Sequence, residues 1–181
     1  LKMTDEAKRE LSNILKVNTV DSNRWALLHE CADRWYQEVK RSREKGNHRS
    51  ATTQAQMVIM LYEKLSDLAT KNTSYREFYD SLQMRLAELY SDENKTTLAK
   101  AIYQEKLKRD PTSADALYNL GAVYEKENRW DEALATWRRL AQGLKPGSHH
   151  WFDARYRTAQ ALSHLEKKKE ACELLIMTEV L

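Results

Sequence analysis

Glycine occurs only four times in 181 residues, at positions 46, 121, 143 and 147. Glycines so few build no glycine-rich phosphate-cradling loop, and no nucleophile elbow or metalloprotease helix accompanies them. Proline occurs twice, so a turn-rich all-β architecture is excluded as well. Cys31 and Cys172 stand alone in distant segments, with neither metal-type spacing nor a disulfide framework. No apolar run reaches the ~18 residues of a membrane-spanning helix, which argues against a membrane. No signal segment is visible, but the chain begins at Leu1 and not at Met. An upstream signal peptide is therefore not excluded, and the compartment stays open with a slight lean to the cytoplasm.

An excess of one charge is lacking too. Thirty Lys and Arg against 27 Asp and Glu leave a net charge of +3. Dedicated nucleic-acid binders cluster far more positive charge, so nucleic acid is disfavoured as a partner. The densest basic stretch, Arg34 to Arg49, holds Lys40, Arg41, Arg43 and Lys45 but also Glu38 and Glu44. It reads as a solvated helix face and loop.

What is present is helix-forming and repetitive. Hydrophobic residues make up 41% and charged residues 31%, enough apolar surface for a helical core. Leu117, Leu120, Gly121 and Tyr124 fall at i, i+3, i+4 and i+7, one face of a helix. Ala133, Leu134, Trp137 and Leu140 form one face of a second helix, with Asn128 between them suited to left-handed backbone. The preceding segment repeats this hairpin: 121 − 87, 124 − 90, 133 − 99 and 137 − 103 all equal 34. A third copy in Ala159, Leu162, Ala171 and Leu175 is offset by 38 (159 − 121, 171 − 133), the extra residues lying in the Gly143–Gly147 loop.

With Leu-Gly and Tyr on one helix, then Ala and an aromatic on the next, then Pro111, the pattern resembles the tetratricopeptide repeat. The resemblance covers 80–147 well and 151–181 fairly, with Thr158 in place of Leu and with Leu162 and Leu175 in place of aromatics. It implies small residues (Ala87, Gly121, Ala159, Ala99, Ala133, Ala171) where helices approach, and large ones (Tyr90, Tyr124, Tyr103, Trp137) between hairpins. The implied fold is all-α, a right-handed α-solenoid of antiparallel helix hairpins with about seven helices.

Five segments follow. Residues 1–20, with Thr4, Ala7, Leu11, Ile14 and Leu15, read as the second helix of a truncated repeat. Residues 21–73 read as an elongated, divergent hairpin. Its first helix runs from Ser22 to about Glu44, carries Trp25, Leu28, Ala32 and Trp35 on one face, and stops at Gly46. Its second carries Ala55, Val58, Tyr62, Leu65 and Ala69 as far as about Thr70. Ser74 and Glu77 have the spacing of a capping box that opens the next helix. Residues 74–111, 112–147 and 148–181 are then three tetratricopeptide-like repeats.

Candidate chemistry is sparse. His149-His150 in a Pro-Gly loop reads as solvated, and His29 and Cys31 point to different faces of one helix. Asp131-Glu132 suits the positive end of a helix. Asn72-Thr-Ser and Asn94-Lys-Thr are glycosylation sequons, meaningful only in a secreted eukaryotic protein. Neither an enzyme nor a cofactor is implied.

The resemblance implies instead a protein-interaction scaffold or adaptor whose concave face, lined by first helices, holds a peptide segment or partner helix. It places Met84, Arg85 and Glu88 there, then Tyr118, Asn119, Ala122 and Lys126, then Tyr156, Arg157, Gln160 and His164. Chaperone-binding members grip a C-terminal carboxylate with Lys, Asn, Asn, Lys and Arg. Asn119 and Arg157 agree, but Met84, Glu88 and Asp153 stand at the other positions, which argues against that clamp. The alternative is a regulatory helical domain packed on a catalytic region outside the chain. Finally, Leu174, Leu175, Ile176, Met177, Val180 and Leu181 are too many apolar residues for one inward face. The chain is then a fragment of a longer array, or one end is covered by a second copy through the last helix, the plainer alternative being that the last turn folds back and buries itself.

Overall fold

The computed structural model describes Asn13 and residues 21–179; the helix expected over 1–20, with Val180 and Leu181, lies outside the described residues. Among those described there are eight α-helices, one 3-10 turn and no strand, where about seven helices were expected. The chain divides into two compact units, Leu1–Asn94 and Lys95–Leu181.

In the first unit, α1 (Ser22–Glu44) opens where the Asp21 side chain accepts the Arg24 N–H at 2.9 Å. This satisfies one of the orphan donors of the first turn. Trp25, Leu28, Ala32, Tyr36 and Val39 are buried along one stripe at three- and four-residue steps. The expected face through Trp35 is thereby corrected. After Ala32 the stripe advances four residues to Tyr36, leaving Trp35 half-buried at its edge.

The helix stops as expected at Gly46, whose φ is +75°. Gly46 N–H donates to the Arg43 carbonyl and Asn47 N–H to that of Ser42, each at 2.9 Å. A Cβ at Gly46 would meet nothing, so the backbone conformation alone calls for glycine. The chain returns as α2 (His48–Lys71), which packs along α1 and buries Ala55, Val58, Tyr62, Leu65 and Ala69.

The capping box expected at Ser74 and Glu77 does not form. Asn72 Oδ1 accepts the Ser74 N–H at 3.0 Å, which winds Thr73–Phe78 into a 3-10 turn. α3 (Tyr79–Asp92) therefore begins only at Tyr79, without a side-chain cap, and packs on α2. The turn delivers Tyr75 and Phe78 to Trp25, with ring centroids 4.5 and 4.8 Å away. Basic residues read as solvated prove to be paired. Arg43 bridges Asp92 and Glu93, the latter at 2.6 Å, and Lys40 reaches Glu88 at 3.1 Å.

The second unit is a succession of helices, each packed on the next: α4 (Thr96–Arg109), α5 (Ala114–Lys126), α6 (Trp130–Gly143), α7 (His149–His164) and α8 (Lys168–Glu179). The small positions Ala99, Gly121, Ala133, Ala159 and Ala171 are all buried, as are Tyr103, Tyr124 and Trp137. Thr158, standing where Leu was expected, is buried with its hydroxyl donating to the Ala154 carbonyl at 2.7 Å. That hydrogen bond is what lets a polar group replace the apolar one. Leu175 departs from its expected place between hairpins. It is 38% exposed, because among the described residues no further helix packs over that side of α8.

Helix ends repeat as faithfully as helix faces. Asn94, Asn128 and Glu166 all have left-handed backbone, with φ of 60°, 57° and 60°. Their spacings, 128 − 94 = 34 and 166 − 128 = 38, are those of the sequence repeat. At each later turn two N–H groups close the end: Asn128 to Glu125 and Arg129 to Tyr124, then Glu166 to Ser163 and Lys167 to Leu162, all 2.9–3.1 Å. Asparagine tolerates this conformation, whereas glutamate's Cβ costs ~1–2 kcal/mol there. Glu166→Gly should therefore raise stability by ~0.5–1 kcal/mol after the entropy of an added glycine is offset. Urea denaturation of the two proteins measures it, and a lowered midpoint would contradict this account of the turn.

Candidate protein-binding face

The first-unit members of the expected face are held by their own unit. Arg85 pairs with Asp33 and lies 5.7 Å over the Tyr36 ring. Glu88 accepts the Tyr36 hydroxyl as well as Lys40. Tyr62 completes the group by donating to Asp33 at 3.0 Å, and burial pushes its phenol well above the usual tyrosine range. Burial, then the nearby Arg85 charge, lowers the pKa of His29 beside them. Both charges of the α3 face thus tie α3 to α1, with Met84 half-buried among them in sequence.

In the second unit two of the expected residues, Tyr118 and Arg157, meet around Trp137. Trp137, on α6, is fully buried because Gly121 on α5 has no side chain. A Cβ at Gly121 would lie 2.7 and 2.8 Å from two carbons of the indole. The Tyr118 ring meets the same indole edge-on, centroids 5.2 Å apart, and the Arg157 guanidinium lies 5.5 Å from it and 6.0 Å from Tyr118. Aromatic edge contacts and stacked guanidinium groups each contribute ~0.5–1.5 kcal/mol.

Glu125, absent from the sequence-based set, fastens this arrangement. Its carboxylate accepts the Trp137 indole N–H at 2.8 Å and Arg157 at 2.7 Å. The signal was legible, because Glu125 lies seven residues after Tyr118 on the same helical face. Asp153 is the second carboxylate near Arg157, at 3.7 Å. Phe152, also missed, shares the α7 face with Tyr156 four residues on, and both are exposed, at 40% and 59%.

The remaining expected residues form the margins. Asn119 donates to the Asp115 carbonyl at 2.9 Å, half-buried, while Lys126 and Gln160 are exposed. His164 stacks flat on Trp130 with centroids 3.7 Å apart, which uses one face of its ring. No group of three His, Cys, Asp or Glu side chains able to hold a metal occurs among the described residues. No helix among them is long and apolar enough to cross a membrane. The face offers an aromatic and polar surface held together by the hydrogen bonds of Glu125.

Known proteins share the repeat. Residues 90–142 match the family model described as tetratricopeptide repeat. The TPR repeat-containing protein YpiA of Bacillus subtilis (strain 168) is 28% identical over 112 residues, 61% of this chain. That stretch spans a quarter of the relative's own length. Among solved structures, a Podosopora anserina protein described as a kinesin light chain with nearly identical TPR-like repeats superposes with a TM-score of 0.65 at 18% identity. The likeness covers 97% of this chain and 85% of that one. The MamA protein superposes with a TM-score of 0.51 at 17% identity, over 83% and 91% of the two chains. Residues 90–142 thus match the tetratricopeptide repeat, and the all-α helical-repeat fold is shared with the two solved structures.

Proposed function

We propose that the chain is a protein-interaction scaffold that holds a partner's segment on the shared face of α5 and α7. The repeat fold in general serves protein–protein interaction without catalysis. The observation that carries the finer reading is the Tyr118 ring and the Arg157 guanidinium gathered on Trp137 and fixed by Glu125, with Phe152 and Tyr156 exposed on the same helix as Arg157. Exposed aromatic rings over a rigid base supply contact area at little entropic cost, and Tyr and Arg are enriched among binding hot spots.

Tyr118→Ala together with Arg157→Ala should weaken capture of a partner segment at least tenfold while the far-ultraviolet circular dichroism stays unchanged. Titration against a peptide selected from a random library on the parent protein measures it. Unchanged affinity would move the binding surface off this face.

A second surface favours self-association. Ile176 and Met177 on α8 are 63% and 65% exposed. They adjoin a groove of about 640 Å³ lined by Trp151, Leu162, Leu174 and Met177 together with the charged Arg138, Arg155, Glu170 and Glu173. An apolar ridge on α8 beside a groove between α6, α7 and α8 suits a two-fold dimer in which the ridge of each copy enters the groove of the other. Light scattering over a range of concentrations should show a dimer that Leu175→Ser with Ile176→Ser converts to monomer. A parent that stays monomeric throughout would end this reading.

A further inference from the structure

The α5–α7 face also carries a charge preference, and this inference rests on the binding face proposed above. Arg157 is the cation at its centre, and its guanidinium already has two carboxylates beside it while 30% of the side chain stays exposed. Glu125 takes one edge at 2.7 Å, Asp153 lies at 3.7 Å, and the flat face covers Trp137 and Tyr118. An incoming carboxylate would have to share Arg157 with the two carboxylates already beside it. Like charges so placed disfavour one another.

Carboxylates exceed cations on the same surface. Asp115 lies one turn before Tyr118 on the α5 face, and its exposed carboxylate has no ion-pair partner among the described residues. With Glu125 and Asp153 it makes three negative charges against Arg157 and Lys126. The apolar contacts available are Tyr118, Phe152 and Tyr156, whose rings also present electron-rich faces to a cation.

We infer that this face takes a basic, aromatic- or aliphatic-bearing protein segment and excludes an acidic one. Lys or Arg of the segment would lie against Asp115, Asp153 and the tyrosine rings, while its apolar side chains cover Tyr118, Phe152 and Tyr156. Such binding weakens as salt rises, because the attraction is between exposed charges.

The test is selection of peptides from a random twelve-residue library displayed against the full chain at low salt. Peptides whose capture is lost on Tyr118→Ala with Tyr156→Ala define those bound at the face. Their mean net charge should be positive, with aromatic and aliphatic residues enriched. Exchanging Lys and Arg for Glu in one of them should reduce affinity at least tenfold. Selection against Asp115→Asn with Asp153→Asn should return peptides of lower net charge. Face-dependent peptides that are neutral or acidic would overturn the charge preference and leave the binding face standing. A selection yielding no face-dependent peptide would overturn both.

Discussion

Trp137→Ala should destabilise the second unit by ~3–5 kcal/mol, the largest effect expected of any single truncation among the described residues. The indole is the largest side chain with essentially no exposure, and its N–H is satisfied by Glu125. Truncation leaves a cavity between α5 and α6 that neighbouring helix backbones cannot close. It also removes the common support of Tyr118, Glu125 and Arg157. The loss should therefore appear twice, as a lower denaturation midpoint and as weakened capture of peptides selected on the α5–α7 face. A stable variant that still bound those peptides would mean that the indole supports neither core nor face.

The second expected result concerns the residue beneath that indole. Gly121→Leu should cost ~1–3 kcal/mol or more, since an overpacked core must distort to admit the added carbons. The Cβ alone would lie under 3 Å from the ring, so even Gly121→Ala should destabilise the parent. Alanine is otherwise preferred to glycine within a helix by ~1 kcal/mol. The sign should therefore reverse once the ring is gone. In a Trp137→Ala background, Gly121→Ala should stabilise. Urea denaturation of the four proteins in this cycle reads the coupling directly. Additive effects would show that residues 121 and 137 do not meet, and the repeat alignment would fall with them.

That contact was legible in the sequence because it depends on residue size at fixed spacing. Gly121 and Trp137 are sixteen apart on the two helices of one hairpin, which has little freedom in what it brings together, and the same sequence spacing separates Ala87 from Tyr103. The end of α1 at Gly46 and the left-handed Asn128 were equally local, set by backbone sterics. Local competition explains one miss. Ser74 and Glu77 had capping spacing, but Asn72 two residues upstream offered the Ser74 N–H an earlier acceptor. At Trp35 an aromatic at i+3 from Ala32 competed with Tyr36 at i+4, and packing against α2 selected the latter.

Long-range polar partners were not legible at all. Arg43 with Asp92 and Glu93, and Arg85 with Asp33, join residues about fifty positions apart with no shared period. The candidate face lay between these extremes. Tyr118, Tyr156 and Arg157 followed from the repeat, whereas the role of Glu125 came from its two hydrogen bonds to Trp137 and Arg157. Leu175 shows the limit of the alignment, since a position inherits burial only where a further element covers it.

The central claim is that the first-helix faces of the second unit hold a protein segment. Hydrogen–deuterium exchange of the full chain, with and without a face-selected peptide at saturation, tests it most directly. The account predicts slowed exchange within Ala114–Lys126 and His149–His164, with α8 and the helices of the first unit unchanged. Protection confined to α8, or to α1 and α2, would contradict it.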